Sequence, residues 1–265
     1  MSRLLVKPKK GNGLVSHVTP ESAGWTYVGF DLHRLKPGEA VSAETGGREA
    51  CLVFVTGKGR ASAAGQDFGL LGGRMSPFEG KPWSVYVPQG SNWSVTAETD
   101  LELAVCSAPG LGGGLPARVI APDSLGQETR GKGTNTRYVT NILPEGEPAD
   151  SLLVVEVITP GGHTSSYPPH KHDQDNLPAE SLLEETYYHR LNPSQGFAFQ
   201  RVYTDDRSLD EAMAVEDGDV VLVPRGYHPC AACHGYDLYY LNVMAGPRRT
   251  WKFHNAREHE WLMKM

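Results

Sequence analysis

Glycine and proline interrupt this chain at short intervals, and no other feature limits its fold as strongly. The 265 residues include 30 glycines and 19 prolines, without the strict period of collagen. Short apolar runs lie between these turn-forming residues, which favours many strands over long helices. In the first half the runs predict four strands, at residues 25–32, 49–56, 84–87 and 101–106.

The second half resumes this pattern after a segment rich in glycine and proline at residues 107–135, which is typical of a linker. Only residues 254–265 favour a short helix. The chain is therefore predicted to be all-β, with two barrels or sandwiches divided into residues 1–120 and 121–265. Its second-half strands are predicted at residues 137–143, 152–158, 184–190, 198–203, 219–223 and 236–244.

Two short segments of the first half recur in the second half in the same order. Residues 85–90 resemble residues 221–226, since each segment is an apolar strand that runs into Pro-x-Gly. Residues 35–38 likewise resemble residues 158–161, since both segments begin with an aliphatic residue and end in Pro-Gly. The members of the two pairs lie 136 and 123 residues apart. This order indicates one fold used twice.

Charge and hydropathy exclude two classes of protein. Lys and Arg number 25 against 31 Asp and Glu, a net charge of −6, whereas a nucleic-acid binder needs a positive surface. No apolar run approaches the ~18 residues of a membrane span. The first twenty residues also lack the apolar core of a signal peptide. We therefore expect a cytoplasmic protein that binds neither nucleic acid nor membrane.

The four cysteines are expected to be thiols in such a reducing compartment. Cys230, Cys233 and His234 match the C-x-x-C-H sequence that attaches c-type haem. That attachment follows export, for which the sequence gives no signal. Cys51 and Cys106 lie 55 residues apart, too far for the second pair of a zinc ribbon. We assign no haem, zinc or redox role to the cysteines.

The histidines are concentrated after residue 162, where eight of the ten occur. His170 and His172 are two residues apart, so a strand projects both imidazoles to one face, as a first-row metal ion requires. The carboxylates of Glu184 and Glu185 follow, and then His228 after a Pro-x-Gly turn. Three histidines and one carboxylate leave coordination positions open for substrate or water, which is typical of a catalytic metal site.

This set resembles the two motifs of the cupin superfamily, G-x5-H-x-H-x(3,4)-E-x6-G and G-x5-P-x-G-x2-H-x3-N. The spacing departs from the motifs. Seven residues, not five, lie between Gly162 and His170, and twelve separate His172 from Glu185. One residue, not two, lies between Gly226 and His228. No Asn follows at the expected place. The resemblance implies two cupin (jelly-roll) barrels. The matching positions are Gly162, His170, His172, Glu185 and Gly196, and then Gly218, Pro224, Gly226 and His228.

The resemblance also favours Glu185 over Glu184 as the ligand, because cupin ligand glutamates precede a short aromatic strand. A period of two then places Glu185, Tyr187 and His189 on the inner face. The first half has no His-x-His, and Trp93 stands where a ligand histidine is expected. We therefore expect a structural or oligomer-forming N-terminal barrel.

Residues 130–139, 168–173 and 239–247 resemble the 5-deoxy-glucuronate isomerase family of myo-inositol catabolism, two-cupin proteins similar to a ketol-isomerase of pectin breakdown. The resemblance implies an aldose–ketose isomerase that converts 5-deoxy-D-glucuronate into 5-dehydro-2-deoxy-D-gluconate. Its partner would be a small sugar acid, and a homo-oligomer is left open.

The resemblance implies a divalent metal ion held by His170, His172, Glu185 and His228. Zinc, manganese, iron and nickel all suit such a set.

Four more side chains are candidates for the chemistry. Tyr187 or Lys171 would handle the proton, although a regular strand points Lys171 away from the metal. Arg137 and Arg201 are candidates for binding the substrate carboxylate, because a guanidinium matches it with two hydrogen bonds. Two other functions stay open. A cupin dioxygenase would consume oxygen, and a sugar-binding bicupin would bind without turnover.

Overall fold

The computed structural model describes residues 2–264, and most of its regular structure is β-strand. Eleven strands begin before residue 126: β1 (Leu5–Val6), β2 (Gly13–Val18), β3 (Gly29–Leu35), β4 (Ala40–Glu44), β5 (Arg48–Thr56), β6 (Lys58–Ala63), β7 (Gln66–Gly72), β8 (Ser84–Val87), β9 (Asn92–Ala97), β10 (Leu101–Pro109) and β11 (Arg118–Ile120).

Fourteen strands follow in the described part of the chain: β12 (Gly126–Arg130), β13 (Arg137–Leu143), β14 (Leu153–Thr159), β15 (Thr164–Ser165), β16 (His170–Lys171), β17 (Asp173–Asn176), β18 (Glu180–Leu182), β19 (Glu184–Asn192), β20 (Phe197–Tyr203), β21 (Asp210–Glu216), β22 (Val220–Val223), β23 (Cys230–Ala232), β24 (Asp237–Ala245) and β25 (His254–Asn255). Helices are short: α1 (Pro20–Ala23) and 3-10 helices at Pro122–Ser124, Gly133–Asn135 and Arg257–Lys264. The helix expected at residues 254–265 is thus a 3-10 helix preceded by a strand.

The chain forms two compact units, each drawn from separate stretches of sequence. The N-terminal unit comprises Pro8–Gly126 and Asn141–Val154. The C-terminal unit comprises the chain up to Lys7, Gln127–Thr140 and everything from Val155 onward. The predicted single division after residue 120 differs from this arrangement. Strand β1 belongs to the C-terminal unit, and residues 141–154 belong to the N-terminal unit.

The N-terminal unit contains a six-stranded sheet in the order β11-β8-β5-β10-β3-β2 and a four-stranded sheet in the order β4-β9-β6-β7. Strands β5 and β10 lie in the middle of the larger sheet and are almost wholly buried. Their apolar runs therefore lack the alternation of a half-exposed strand. The core takes Leu52 and Leu103 from the larger sheet, and Trp93 and Val95 from the smaller one.

The C-terminal unit repeats this plan. Its seven-stranded sheet has the order β1-β22-β19-β24-β14-β13-β12, and its four-stranded sheet has the order β15-β23-β20-β21. Position by position, β22, β19, β24, β14 and β13 correspond to β8, β5, β10, β3 and β2. The smaller sheets correspond in the same way. The prediction of an all-β chain with one plan used twice is confirmed.

No helix among residues 2–264 is long and apolar enough to cross a membrane.

The four cysteines are free thiols, as predicted. Cys51, Cys106 and Cys230 are buried, and Cys233 is partly exposed. Burial raises the pKa of Cys230 to about 12, so its thiol stays protonated at neutral pH. A protonated thiol is a poor nucleophile.

A buried carboxylate anchors the 141–154 segment in the N-terminal unit. Glu49 is fully buried at the start of β5. Its side chain accepts hydrogen bonds from the backbone N–H groups of Asp150 (2.7 Å), Ser151 (2.6 Å) and Leu152 (2.6 Å), and from the Tyr86 hydroxyl (2.7 Å). Four donors compensate the loss of water around this charge.

Replacing Glu49 with alanine should lower the free energy of unfolding by roughly 3 kcal/mol, because several buried donors lose their acceptor. Urea denaturation followed by circular dichroism measures this change. Glu44→Ala removes an exposed glutamate from the neighbouring β4 and should cost less than about 0.5 kcal/mol. Equal losses for the two variants would show that the Glu49 contacts contribute nothing to stability.

Candidate metal and substrate site

The His-x-His segment lies in a short strand pair of the C-terminal unit. Strand β16 pairs antiparallel with β25, which places His170 opposite Asn255 and Lys171 opposite His254. His172 follows directly and is 2% exposed. The extended backbone sends Lys171 to the opposite side from the two imidazoles, as period-2 alternation predicts.

Backbone carbonyls fix the orientation of two histidines. The Nδ1 atom of His172 lies 2.9 Å from the Leu183 carbonyl oxygen, and Nδ1 of His228 lies 2.9 Å from the Gly226 carbonyl oxygen. A carbonyl oxygen can only accept, so each Nδ1 carries the hydrogen and donates it. In each neutral ring, Nε2 is then the atom with a free lone pair.

Both Nε2 atoms lie close to one carboxylate oxygen. Oε2 of Glu185 lies 3.0 Å from Nε2 of His172 and 3.2 Å from Nε2 of His228. Glu185 is 2% exposed on β19, where it pairs with Val223 of β22 and Met244 of β24. The structure therefore brings Glu185, and not Glu184, together with the two histidines.

The donor set fits a metal ion. Ligand atoms of His172, Glu185 and His228 all lie within 4.8 Å of one another, and Nε2 of His228 is buried without a hydrogen-bond partner. Burial lowers the pKa of His228 to about 4, so its ring is neutral at pH 7. A neutral Nε2 and a carboxylate oxygen both offer electron pairs, and a cation between them satisfies both.

The pKa values of the other two histidines move in opposite directions. Burial opposes the charged form of His172, but a hydrogen bond from a protonated Nε2 to Glu185 outweighs burial and raises its pKa. A metal ion at Nε2 would take the place of that proton. Burial, followed by the charges of His228 and His172, holds the pKa of His170 well below its usual value. His170 is therefore neutral and able to act as a ligand.

The fourth expected ligand, His170, lies beside this trio without belonging to it. Its ring centroid is 4.9 Å from that of His228 and 6.4 Å from that of His172. On its other side His170 contacts the Phe253 ring at 4.7 Å. His170 thus lies next to His228, facing the cavity described below.

The site adjoins a small cavity of about 30 Å³ that opens to solvent. It is lined by three aliphatic side chains, three charged groups and several aromatic or polar ones. The lining residues are Arg130, Arg137, Val139, Val155, Val157, Ser166, His170, Glu185, Tyr187, Tyr240, Asn242 and Trp251. Glu185 is the single carboxylate among the described lining residues, against two guanidinium groups.

Two tyrosine hydroxyls in this lining are held by consecutive serines. The Tyr187 hydroxyl lies 2.8 Å from Ser166 Oγ, and the Tyr240 hydroxyl lies 2.5 Å from Ser165 Oγ. Burial, and then the charge of Glu185, raises the pKa of Tyr187 well above its usual value. Tyr187 therefore keeps its proton at neutral pH and can donate it.

The two arginines of the lining differ in their partners. Arg130 pairs with Glu128, with Nε 3.0 Å from Oε2, and lies over the Trp251 ring at 5.1 Å. Arg137 donates to the Asn135 carbonyl oxygen at 3.0 Å, and no carboxylate pairs with it among residues 2–264. Burial, together with the charge of Arg130, lowers the pKa of Arg137. A guanidinium in a protein nevertheless stays charged.

Two predicted site residues lie outside the cavity. Lys171 is 3% exposed, and its ammonium contacts Asp173 (2.9 Å) and Asp205 (3.0 Å). These partners outweigh burial and raise the pKa of Lys171. Arg201 is half-exposed on β20, where both of its hydrogen bonds go to Asp210 (2.7 Å each). The structure therefore brings neither cation to the metal cluster or into the cavity.

The N-terminal unit has a different residue at the matching position. Ala50 of β5 pairs with Val87 of β8, just as Glu185 of β19 pairs with Val223 of β22. Trp93 packs in the apolar core. No second group of three metal-binding side chains occurs within residues 2–264.

Sequence reasoning missed several lining residues, namely Arg130, Ser166, Tyr240, Asn242 and Trp251. A signal existed for Tyr240 and Asn242, which are two residues apart on β24 and therefore share a face. Arg130 and Trp251 belong to irregular or edge segments, where no periodicity indicates which way a side chain points.

The sequence matches the KduI/IolB family over residues 4–262. It is 58% identical over 267 residues to the 5-deoxy-glucuronate isomerase of Geobacillus kaustophilus (strain HTA426), covering 100% of this chain and 96% of that protein.

Among solved structures, an IolB-like protein from Salmonella typhimurium LT2 superposes with a TM-score of 0.96 at 57% identity, covering 98% of this chain and 99% of the other. Oxalate decarboxylase from Lactobacillus farciminis superposes with a TM-score of 0.68 at 13% identity, covering 100% of this chain and 91% of the other. These likenesses confirm the predicted double-cupin fold.

Replacing His228 with alanine should weaken metal binding by more than about 100-fold, since even residues that merely support a metal ligand contribute 10–100-fold. Equilibrium dialysis against Zn²⁺ or Mn²⁺ with elemental analysis measures this loss. His234→Ala removes an exposed histidine of the same unit and should bind metal like the wild type. Wild-type metal content in the His228 variant would contradict the assigned site.

Proposed function

Since the chain belongs to the KduI/IolB family, we propose that it is an aldose–ketose isomerase that converts 5-deoxy-D-glucuronate into 5-dehydro-2-deoxy-D-gluconate in inositol catabolism. One structural observation carries this proposal. The buried trio of His172, Glu185 and His228 adjoins a cavity that also exposes two guanidinium groups. Binding and isomerising a sugar acid requires both features, a metal site for its carbonyl end and cations for its carboxylate end.

The reaction moves one hydrogen from C2 of the aldose to C1 and converts the C2 hydroxyl into the ketone. By proton transfer, a base removes the C2 proton, the electron pair forms the enediol double bond, and C1 is then protonated. A hydride shift reaches the same product directly. By either route negative charge develops on the oxygens of C1 and C2, so the site must stabilise an oxyanion.

His172, Glu185 and His228 would hold a divalent metal ion, with neighbouring His170 as the fourth ligand. When bound, such an ion supplies positive charge that stabilises the developing oxyanion. The carbonyl oxygens of Leu183 and Gly226 keep the two imidazoles oriented for this task. Zinc, manganese, iron and nickel all suit the donor set.

Tyr187 supplies a proton donor next to the metal ligands. It follows Glu185 by two residues on β19, lines the cavity and keeps its proton because of its raised pKa. Its role is therefore donation to a substrate oxygen, with Ser166 holding the hydroxyl in place (2.8 Å). General acid catalysis of this kind typically contributes about 10²–10⁴-fold to a rate.

Arg137 is the group that would receive the substrate carboxylate. It is the lining cation without a carboxylate partner in the described chain, and Arg130 adds a second positive charge to the same cavity. Arg201 has a carboxylate of its own outside the cavity.

The proposal is tested by incubating the metal-loaded protein with 5-deoxy-glucuronate under anaerobic conditions and following ¹H NMR. We expect the anomeric signals of the aldose to be replaced by the hydroxymethyl signals of the ketose, and a chelator to stop the conversion. In D₂O, deuterium on the hydroxymethyl carbon of the product, which was C1 of the aldose, would indicate proton transfer, and its absence a hydride shift. No conversion without oxygen would contradict an isomerase and favour an oxygen-dependent cupin.

Replacing Arg137 with glutamine should raise KM for 5-deoxy-glucuronate by about 10–100-fold, since a charged hydrogen bond contributes ~1.5–3 kcal/mol. The bound metal should be unchanged, because Arg137 is not among the ligands. Steady-state kinetics measures the change. Arg60→Gln, which breaks an exposed pair with Glu98 in the N-terminal unit, should keep wild-type KM. An unchanged KM for the Arg137 variant would rule out carboxylate binding there.

A further inference from the structure

We propose that Lys171 is a positioning residue, which holds Asp173 and, through it, the Gly226–His228 turn so that the two ligand histidines point to one place. This inference rests on the proposed metal site and assigns that site a supporting network. Lys171 itself belongs neither to the cluster of His172, Glu185 and His228 nor to the lining of the cavity.

The ammonium of Lys171 lies among three carboxylates. Its Nζ is 2.9 Å from Asp173 Oδ1, 3.0 Å from Asp205 Oδ2 and 3.9 Å from Glu180 Oε2. Side chains of Lys171, Asp173 and Glu180 are all nearly buried, with relative exposures of 4%, 11% and 6%. Asp205 is 65% exposed, but without the cation Asp173 and Glu180 would repel one another in a poorly solvated place. Lys171 therefore sets their arrangement.

Asp173 connects this cluster to the segment that carries His228. One oxygen, Oδ1, faces Lys171, and the other, Oδ2, accepts the backbone N–H of Gly226 at 2.9 Å. The carbonyl oxygen of Gly226 in turn accepts from Nδ1 of His228 at 2.9 Å. Lys171 therefore holds Asp173, and Asp173 is linked to the His228 imidazole through two hydrogen bonds of Gly226.

The turn at Gly226 has little freedom of its own. Its φ is +91°, and a Cβ atom there would lie 2.4 Å from the Tyr203 carbonyl oxygen. The next residue, Tyr227, donates its hydroxyl to Asp205 Oδ1 at 2.8 Å, and Asp205 is itself a partner of Lys171. Lys171 therefore acts on the turn from two sides, through Asp173 at Gly226 and through Asp205 at Tyr227.

The same segment orients the other histidine. Asp173 follows His172 directly, and its backbone N–H donates to Glu180 Oε1 at 2.7 Å. The backbone carbonyl of His172 accepts the N–H of Leu183 at 2.9 Å, while Leu183 accepts from the His172 ring. Fixing Asp173 therefore also fixes the backbone from which His172 projects. Groups that support metal ligands in this way typically contribute 10–100-fold to metal affinity.

The test compares Co²⁺ binding by the wild type, Lys171→Met, Lys171→Arg and, as a matched control, Lys58→Met. Lys58 is exposed in the N-terminal unit. Titration with Co²⁺ in the presence of a competing chelator gives the affinity, and the visible absorption spectrum reports the ligand geometry. Circular dichroism checks that each variant is folded.

We expect Lys171→Met to bind Co²⁺ about 10–100-fold more weakly, with an altered visible spectrum. Lys171→Arg, which keeps the cation, should recover most of the affinity, and Lys58→Met should match the wild type. Asp173→Asn removes the negative charge that Lys171 contacts, and it should also weaken Co²⁺ binding. If Lys171→Met does not fold, Asp173→Asn serves as the test of the positioning role.

Wild-type affinity and spectrum in folded Lys171→Met, or in Asp173→Asn where the methionine variant does not fold, would overturn the positioning role. Loss of turnover in Lys171→Met and in Lys171→Arg with unchanged Co²⁺ binding would also overturn it and indicate proton transfer by the amine instead. A wild type that binds no Co²⁺ would refute the proposed metal site itself, which is a separate failure.

Discussion

Two hydrogen bonds from imidazole Nδ1–H groups to backbone carbonyls orient the histidines of the proposed metal site. They are made by His172 to Leu183 and by His228 to Gly226, and they leave the two Nε2 atoms 3.0 and 3.2 Å from Oε2 of Glu185. Buried polar atoms in such an arrangement are costly unless a cation lies between them. The strands and turns around Leu183 and Gly226 hold these two carbonyls in place.

The two units show how one architecture serves two ends. Both contain the same order of strands, and corresponding strand pairs place Glu185 and Ala50 at equivalent positions. One position carries a ligand carboxylate and the other a methyl group. The N-terminal unit uses a buried carboxylate one residue earlier, Glu49, to bind backbone N–H groups. The same fold therefore carries the proposed metal site in one copy and an internal anchor in the other.

Much of the fold and of the metal cluster could be predicted from sequence, because both depend on local periodicity. Turn residues at short intervals predict strands, and a period of two aligns Glu185 with Tyr187 and separates Lys171 from its histidine neighbours. The substrate groups were harder to predict, because an arginine in a sequence gives no sign of its partner. Arg201 has a carboxylate on the adjacent strand β21, whereas Arg130, which was not anticipated, lines the cavity.

The pairing of β1 with β22 has a consequence for the order in which the protein is made. Leu5 and Val6 pair with Val221 and Val220, and Lys7 binds Asp219 and Glu216. Some 200 residues must be synthesised before the edge of the C-terminal sheet can close. A chain divided after residue 120 would thus leave the C-terminal half without β1, the edge strand of its larger sheet.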